Sequence, residues 1–192
     1  MTSMDDPQVW PYDDMMNTDR SFRLVQRGVA ISMLAAVLLT AGAFVVVDRH
    51  WPPSANMPIG ERLLIAAKTD LIVVLWLAIA IADVARRRFI SPLDIMGSSE
   101  GEGSRQIRNA NAFLQNTLEQ VAVAVPAHFA LAAFYPGSPA IVPALGALFS
   151  LGRLLFWIGY PRGPVARAFG FAISFYPSIG ALIACGFALL AR

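Results

Sequence analysis

Three stretches of this chain carry no charged residue, and they constrain its fold more than any other feature. Residues 29–47 form a run of 19, residues 120–152 a run of 33 and residues 168–191 a run of 24. Uncharged apolar runs of about 18 or more read as transmembrane segments. In hydrocarbon the backbone must satisfy its own hydrogen bonds, so such segments are helices. The middle run is interrupted by Pro136-Gly137-Ser138-Pro139, which makes it two spans joined by a tight turn. A further span covers about residues 63–82. The expectation is an all-α integral membrane bundle of five helices. Composition agrees, since 56% of residues are hydrophobic and 15% charged, more apolar than a soluble domain needs. The net charge of +2 does not point to nucleic acid, because the basic residues gather beside the spans. The single cysteine, Cys185, excludes an internal disulfide framework.

In chain order, residues 1–21 carry Asp5, Asp6, Asp13, Asp14 and Asp19 and read as an acidic, disordered cytoplasmic tail. Residues 22–62 hold the first span and an outer loop. No small-residue cleavage site follows cleanly, so this is a span and not a signal peptide. The segment 91–103 is rich in Ser, Gly and acid and reads as a mobile loop. The third helix, 105–135, is about 46 Å long at the usual rise and outruns a ~30 Å hydrocarbon layer. Pro126 is expected to kink it. The fourth and fifth spans cover about 140–158 and 168–191. With the N-terminus cytoplasmic, the inner side holds Arg20, Arg23, Arg27, Arg86, Arg87, Arg88, Arg105, Arg108, Arg162 and Arg167. The outer side holds Arg49, Arg62 and Arg192. That bias favours a multi-pass protein with a cytoplasmic N-terminus and an outside C-terminus, with a bacterial inner membrane as the expected location.

The polar residues that remain are grouped. In GRLLFWIGYPRGPVAR at residues 152–167, Arg153, Trp157 and Tyr160 share a helix face. Pro161, Gly163 and Pro164 then turn the chain, and Pro164 suits the first turn of the next helix. Arg167 falls in that first turn, where the helix dipole opposes a cation; such a breach of a local rule points to function. Arg153, Tyr160, Arg167 and the free N–H groups of the helix start make a candidate anion site. Asn116 and Glu119 are three residues apart on the third helix, and Glu119 lies at a depth similar to that of Arg153. A Glu119–Arg153 pair is expected, either in a polar cavity or as a structural ion pair. Lys68 can snorkel. Asp70 is deeper and needs a partner or a wet cleft, for structure or for catalysis. His128 reads as a packing or hydrogen-bonding residue before it reads as a ligand. No metal-site spacing, Ser-His-Asp set or phosphate loop is visible.

NTLEQ at residues 116–120, followed by RLLFWIGYPRGPVAR at 153–167, resembles the MAPEG family, membrane-associated proteins in eicosanoid and glutathione metabolism. ARRRF at 85–89 also looks like the basic end of that family's first helix. The resemblance covers about residues 63–192. It implies a four-helix bundle, here with one additional N-terminal transmembrane helix, and usually a homotrimer. It also implies glutathione as co-substrate, bound between subunits in the cytoplasmic half, with no metal. Asn116 and Glu119 match positions that hold the polar glutathione backbone, and Arg153 and Tyr160 match further contacts. Arg167 matches the arginine that stabilises the thiolate; Arg87, or its neighbour Arg86, matches a second basic residue near the thiol. The implied activity is conjugation of glutathione to lipophilic electrophiles, or reduction of lipid hydroperoxides. A non-catalytic lipid-binding or scaffold protein is the alternative. Three features depart from the pattern. Ala112 stands where glutathione-using members generally carry Arg, and Arg108 is too far back to replace it. Phe156 and Gln120 stand where some members carry Tyr. The span within 22–47 is extra.

Overall fold

The computed structural model describes residues 12–51, 57–96, 103–135 and 138–190, with residues 12–20 as backbone only. It contains five long helices: α1 (Tyr12–His50), α2 (Ile59–Ile90), α3 (Arg105–Phe134), α4 (Ile141–Gly159) and α5 (Pro164–Leu190). A short 3-10 turn, Tyr160–Arg162, joins the last two. All five are long and apolar enough to cross a membrane, and no strand occurs among the described residues. The chain is therefore the all-α membrane bundle expected. The helix α1 differs from the expectation, because its backbone is helical from Tyr12 onward. Residues 12–20 thus belong to a helix and not to a disordered tail. The tail reading for residues 1–11, Pro52 and Pro53 of the outer loop, and Pro136-Gly137 of the tight turn lie outside the described residues.

Many small residues face inward, while many large aliphatic ones face outward. Ala66, Ala124, Ala127 and Ala172 are fully buried, whereas Leu38, Leu71 and Phe187 are 64%, 73% and 69% exposed. That is the arrangement lipid dictates: tails solvate leucine well, so helices associate by close packing of small side chains. The helix α2 packs chiefly on α3, and α4 on α5, with α3 also against α5 and α2 against α4. The α4–α5 seam is the tightest. A Cβ at Gly152 would come 2.8 Å from the carbonyl oxygen of Gly170, so only glycine lets the two backbones meet there. Apolar clusters fill the interior in successive layers, from Ala66–Leu131–Leu145 through Val73–Ala124–Phe149 to Ala80–Phe113–Phe156.

The α2–α3 connection is pinned at both ends by Asp94. Its carboxylate accepts from the Ser104 N–H at 2.7 Å and from the Ser104 hydroxyl at 2.8 Å. The Ser104 hydroxyl in turn accepts from the Ile107 N–H, capping α3. The Ser104 N–H, with help from the hydroxyls of Ser91 and Ser104, holds the Asp94 carboxyl below the usual carboxylate range. The folded state therefore favours the charged form. Its stabilisation is complete above the ordinary value of about 3.9 and is lost as pH falls below it. Asp94→Ala is expected to speed amide hydrogen exchange at Ile107 at neutral pH. Wild type should show the same loosening only in acid. Equal exchange in both proteins at neutral pH would remove this role.

Candidate functional site

The turn between α4 and α5 builds the site. The chain leaves α4 through the 3-10 turn and reaches Gly163 at φ 102, a left-handed conformation that favours glycine. Arg162 closes the end of α4 by donating to the Ile158 carbonyl. The helix α5 then begins at Pro164. Its first turn carries Arg167, half-buried, with the guanidinium carbon 4.4 Å from the centre of the Tyr160 ring. Tyr160 meets Phe156 edge-on at 5.4 Å. Behind Phe156 lies Arg153, 4.5 Å from that ring. Two cations thus stand on either side of a pair of aromatic rings, Arg167 against an open cavity and Arg153 in the bundle interior.

Arg153 is fully buried, and this is where the sequence expectation needs correcting. Glu119 does not pair with it. Arg153 Nη1 donates to Asn116 Oδ1 at 2.9 Å and Nη2 donates to Ser174 Oγ at 3.0 Å. Glu119 is exposed and accepts instead from Gln115 Nε2 at 3.0 Å. Asn116, one turn before Glu119 on α3, takes its place beside Arg153. The arginine reaches Ser174 because the glycine seam at Gly152 and Gly170 brings α4 onto α5. Arginine only donates, so Asn116 must present its oxygen to it. The Asn116 –NH2 group is left to donate elsewhere, and Asn116 lines the cavity.

That cavity has a volume of about 510 Å³. Asn116 and Glu119 of α3, Tyr160 of the turn and Arg167 of α5 all line it. Its remaining walls include Ala112, Phe156 and Phe171, together with Val29 and Met33 of α1. It therefore offers one carboxylate, one cation and an amide donor beside an apolar surface. Such a set suits a ligand with carboxylate and ammonium groups. Arg153 is not among its lining residues; it reaches the cavity through Asn116.

Arg86 and Arg87 are elsewhere. Both bind Asp83, from Arg86 Nη2 at 3.0 Å and from Arg87 Nε at 2.8 Å. Arg87 opens into a second cavity of about 300 Å³, with Asp83, Gln106, Asn109 and Trp157. Within one chain, Arg87 and Arg167 thus face different cavities, and Tyr160 stands between them as a wall of both. The sequence reading missed Asp83. Its spacing of three and four residues from Arg86 and Arg87 on one helix was the available signal. It also missed Val29 and Met33, whose role depends on how α1 docks. Arg108 is occupied with the Gly103 carbonyl at 2.6 Å, consistent with its distance from the site. Among the described residues no group of His, Cys, Asp and Glu could hold a metal ion.

A membrane helical bundle with its polar cavity at the mouth of a helix–turn–helix defines the class. A sequence model of the MAPEG family matches residues 63–187, so the chain belongs to the MAPEG family. The match leaves out α1 and begins within α2. Comparison with curated proteins and with solved structures found no match.

Proposed function

We propose that this protein is an integral membrane glutathione-dependent transferase or peroxidase acting on lipophilic electrophiles or lipid hydroperoxides. The observation that carries the reading is the convergence of Asn116, Glu119, Tyr160 and Arg167, from separate helices, on one cavity with an apolar side. Glu119 takes the ammonium group of glutathione, and Asn116, held in register by Arg153, donates to a carboxylate or peptide carbonyl. Arg167 faces the sulfur as its thiolate. In conjugation the thiolate adds to the electrophilic carbon of, for example, an enal. The S–C bond forms, the alkene electron pair moves onto the carbonyl oxygen, and water returns a proton to the α-carbon. In the peroxidase form, two glutathione molecules become the disulfide while the hydroperoxide becomes alcohol and water. The clustering of basic residues at the cavity end supports a cytoplasmic position for that end, where reduced glutathione would be supplied. In the homotrimer that the family resemblance implies, Arg87 would serve the cavity of a neighbouring chain, and Arg86 would hold Asp83 beside it.

Ala112 favours a second reading. It lies in the cavity wall, so the wall lacks the arginine that glutathione-using relatives carry there. A non-catalytic lipid-binding or scaffold protein would keep the cavity and lose the cation. Thermal unfolding with and without glutathione separates the two. On the enzyme reading wild type is stabilised, and Glu119→Ala loses at least half of that shift. A wild type that glutathione does not stabilise, or a Glu119→Ala variant stabilised as much as wild type, would leave the scaffold reading in place.

A further inference from the structure

The helix α1 lies outside the family match, and its surface is largely lipid-facing: Ile31, Leu34 and Leu38 are 68%, 60% and 64% exposed. It is nevertheless seated on the bundle along one stripe. Gly28 lies against Val165. Ala36, fully buried, packs with Leu148, Ala172 and Ile173, and Met33 and Ala43 join that cluster. Phe44 packs against the next one, beside Ala181 and Cys185. The stripe 29, 33, 36, 40, 43 and 47 repeats every three to four residues, the spacing of one helix face. At one end of this seam, Val29 and Met33 are half-buried and line the main cavity along with its polar residues. They lie one helical turn apart, about 6 Å along the axis.

We propose that Val29 and Met33 form the wall against which the apolar part of a second, lipophilic substrate lies, so that α1 sets the length and bulk this protein accepts. The inference rests on the glutathione reading for the identity of the first substrate. Its geometry is that of a two-part site. Arg167, Glu119 and Asn116 face a polar molecule, while Val29, Met33 and Phe171 offer aliphatic and aromatic surface to its reaction partner. Methionine suits such a wall, because its unbranched, polarisable side chain adapts to different shapes. A family fold without α1 would lack the Val29 and Met33 side chains on this side. The selectivity is therefore a property of this chain's additional helix.

The experiment compares conjugation of a short and a long 2-alkenal by wild type, Met33→Trp, Met33→Ala and Leu34→Trp in lipid nanodiscs. Leu34 is the next residue along α1 and faces outward, so its variant controls for bulk on the helix. Met33→Trp should lower the ratio of kcat/KM for long over short alkenal about tenfold, the scale of a misfitted apolar group. Met33→Ala should raise the ratio, and Leu34→Trp should leave it as in wild type. A ratio that none of the three substitutions moves, or that Leu34→Trp moves as far as Met33→Trp, overturns the proposal. A second arm needs no glutathione. A long-chain alkyl diazirine should label the peptide containing residues 29 and 33 saturably, in competition with the long alkenal's alcohol. Met33→Trp should abolish that competition and Leu34→Trp should keep it. Saturable labelling in a protein that does not bind glutathione would sink the glutathione reading and sustain the wall. Labelling that never saturates in wild type would sink the wall itself.

Discussion

Arg167→Ala is expected to lower turnover about a hundredfold while leaving the fold almost as stable as before. The residue stands in the first turn of α5, where the dipole opposes it. Its ring contact with Tyr160 is worth about 0.5–1 kcal/mol at such a site. No carboxylate among the described residues is within ion-pair distance of it. Stability thus gives little reason for a cation here, and the cavity gives a good one. A free thiol with a pKa of about 8.5 is roughly 3% ionised at pH 7. Lowering that by about two units makes roughly three quarters of it thiolate, at a gain of some 2.7 kcal/mol. The measurement is a pH titration of thiolate ultraviolet absorbance alongside conjugation of a generic electrophile. In Arg167→Ala the thiolate should appear at higher pH. Arg167→Lys should recover part of the loss, since an ammonium keeps the charge without the planar fork. Glutathione bound to wild type without thiolate below about pH 8, or an Arg167→Ala variant that matches wild type, would end the catalytic assignment.

His128→Ala is expected to destabilise the bundle by about 3 kcal/mol, the scale of leaving a buried carboxylate without its hydrogen-bond partner. His128 is fully buried, and its Nδ1 lies 2.6 Å from Oδ1 of Asp70, whose side chain is 6% exposed. The pair joins α3 to α2. Along α2, Asp70 falls between Ala66 and Val73; along α3, His128 falls between Ala124 and Leu131. All four neighbours are buried apolar residues. An aspartate left alone there has neither water nor partner. Replacing both members with apolar residues of similar size, as in Asp70→Leu with His128→Phe, should recover most of the stability, because the desolvation cost then disappears as well. Thermal unfolding of the two single variants and the double variant in detergent tests this. A double variant less stable than either single one would show that the pair contributes more than its own desolvation costs.

The Arg153–Asn116 and His128–Asp70 contacts separate what a sequence of this kind discloses from what it hides. Uncharged runs mark spans because lipid admits only helices, so five helices with breaks near Pro139 and Pro164 could be read directly. Depth followed from rise per residue, which set Glu119 near the level of Arg153, but the residue Arg153 meets is Asn116, one turn away on the same helix. Rotation did not follow. In a soluble protein the apolar stripe fixes which face points inward, but in lipid both faces are apolar. Nothing in the sequence distinguishes the cavity-facing side of α3, with Glu119, from the α4-facing side. The Asp70 partner was equally hidden: a need for one could be inferred, but His128 lies on another helix, 58 residues on. The division of Arg87 and Arg167 between two cavities depends on where the Tyr160 ring stands, which is a matter of packing alone.

The seam between α1 and α5 also bears on how the protein is made. The two helices lie at opposite ends of the described chain, yet α1 docks principally on α5. Synthesis delivers α1 long before its partner exists, so α1 must wait in the bilayer on its own. Its polar groups suit that interval. The Ser32 hydroxyl returns to the Gly28 carbonyl at 2.9 Å and the Thr40 hydroxyl to the Ala36 carbonyl at 2.8 Å. Neither requires a neighbouring helix, and this span is also the most apolar of the five. By contrast α3, the least apolar span, carries Asn116 and His128, whose partners lie on α4 and α2. The cavity wall that α1 provides would then be the last part of the site to form, closing only once α5 has entered the membrane.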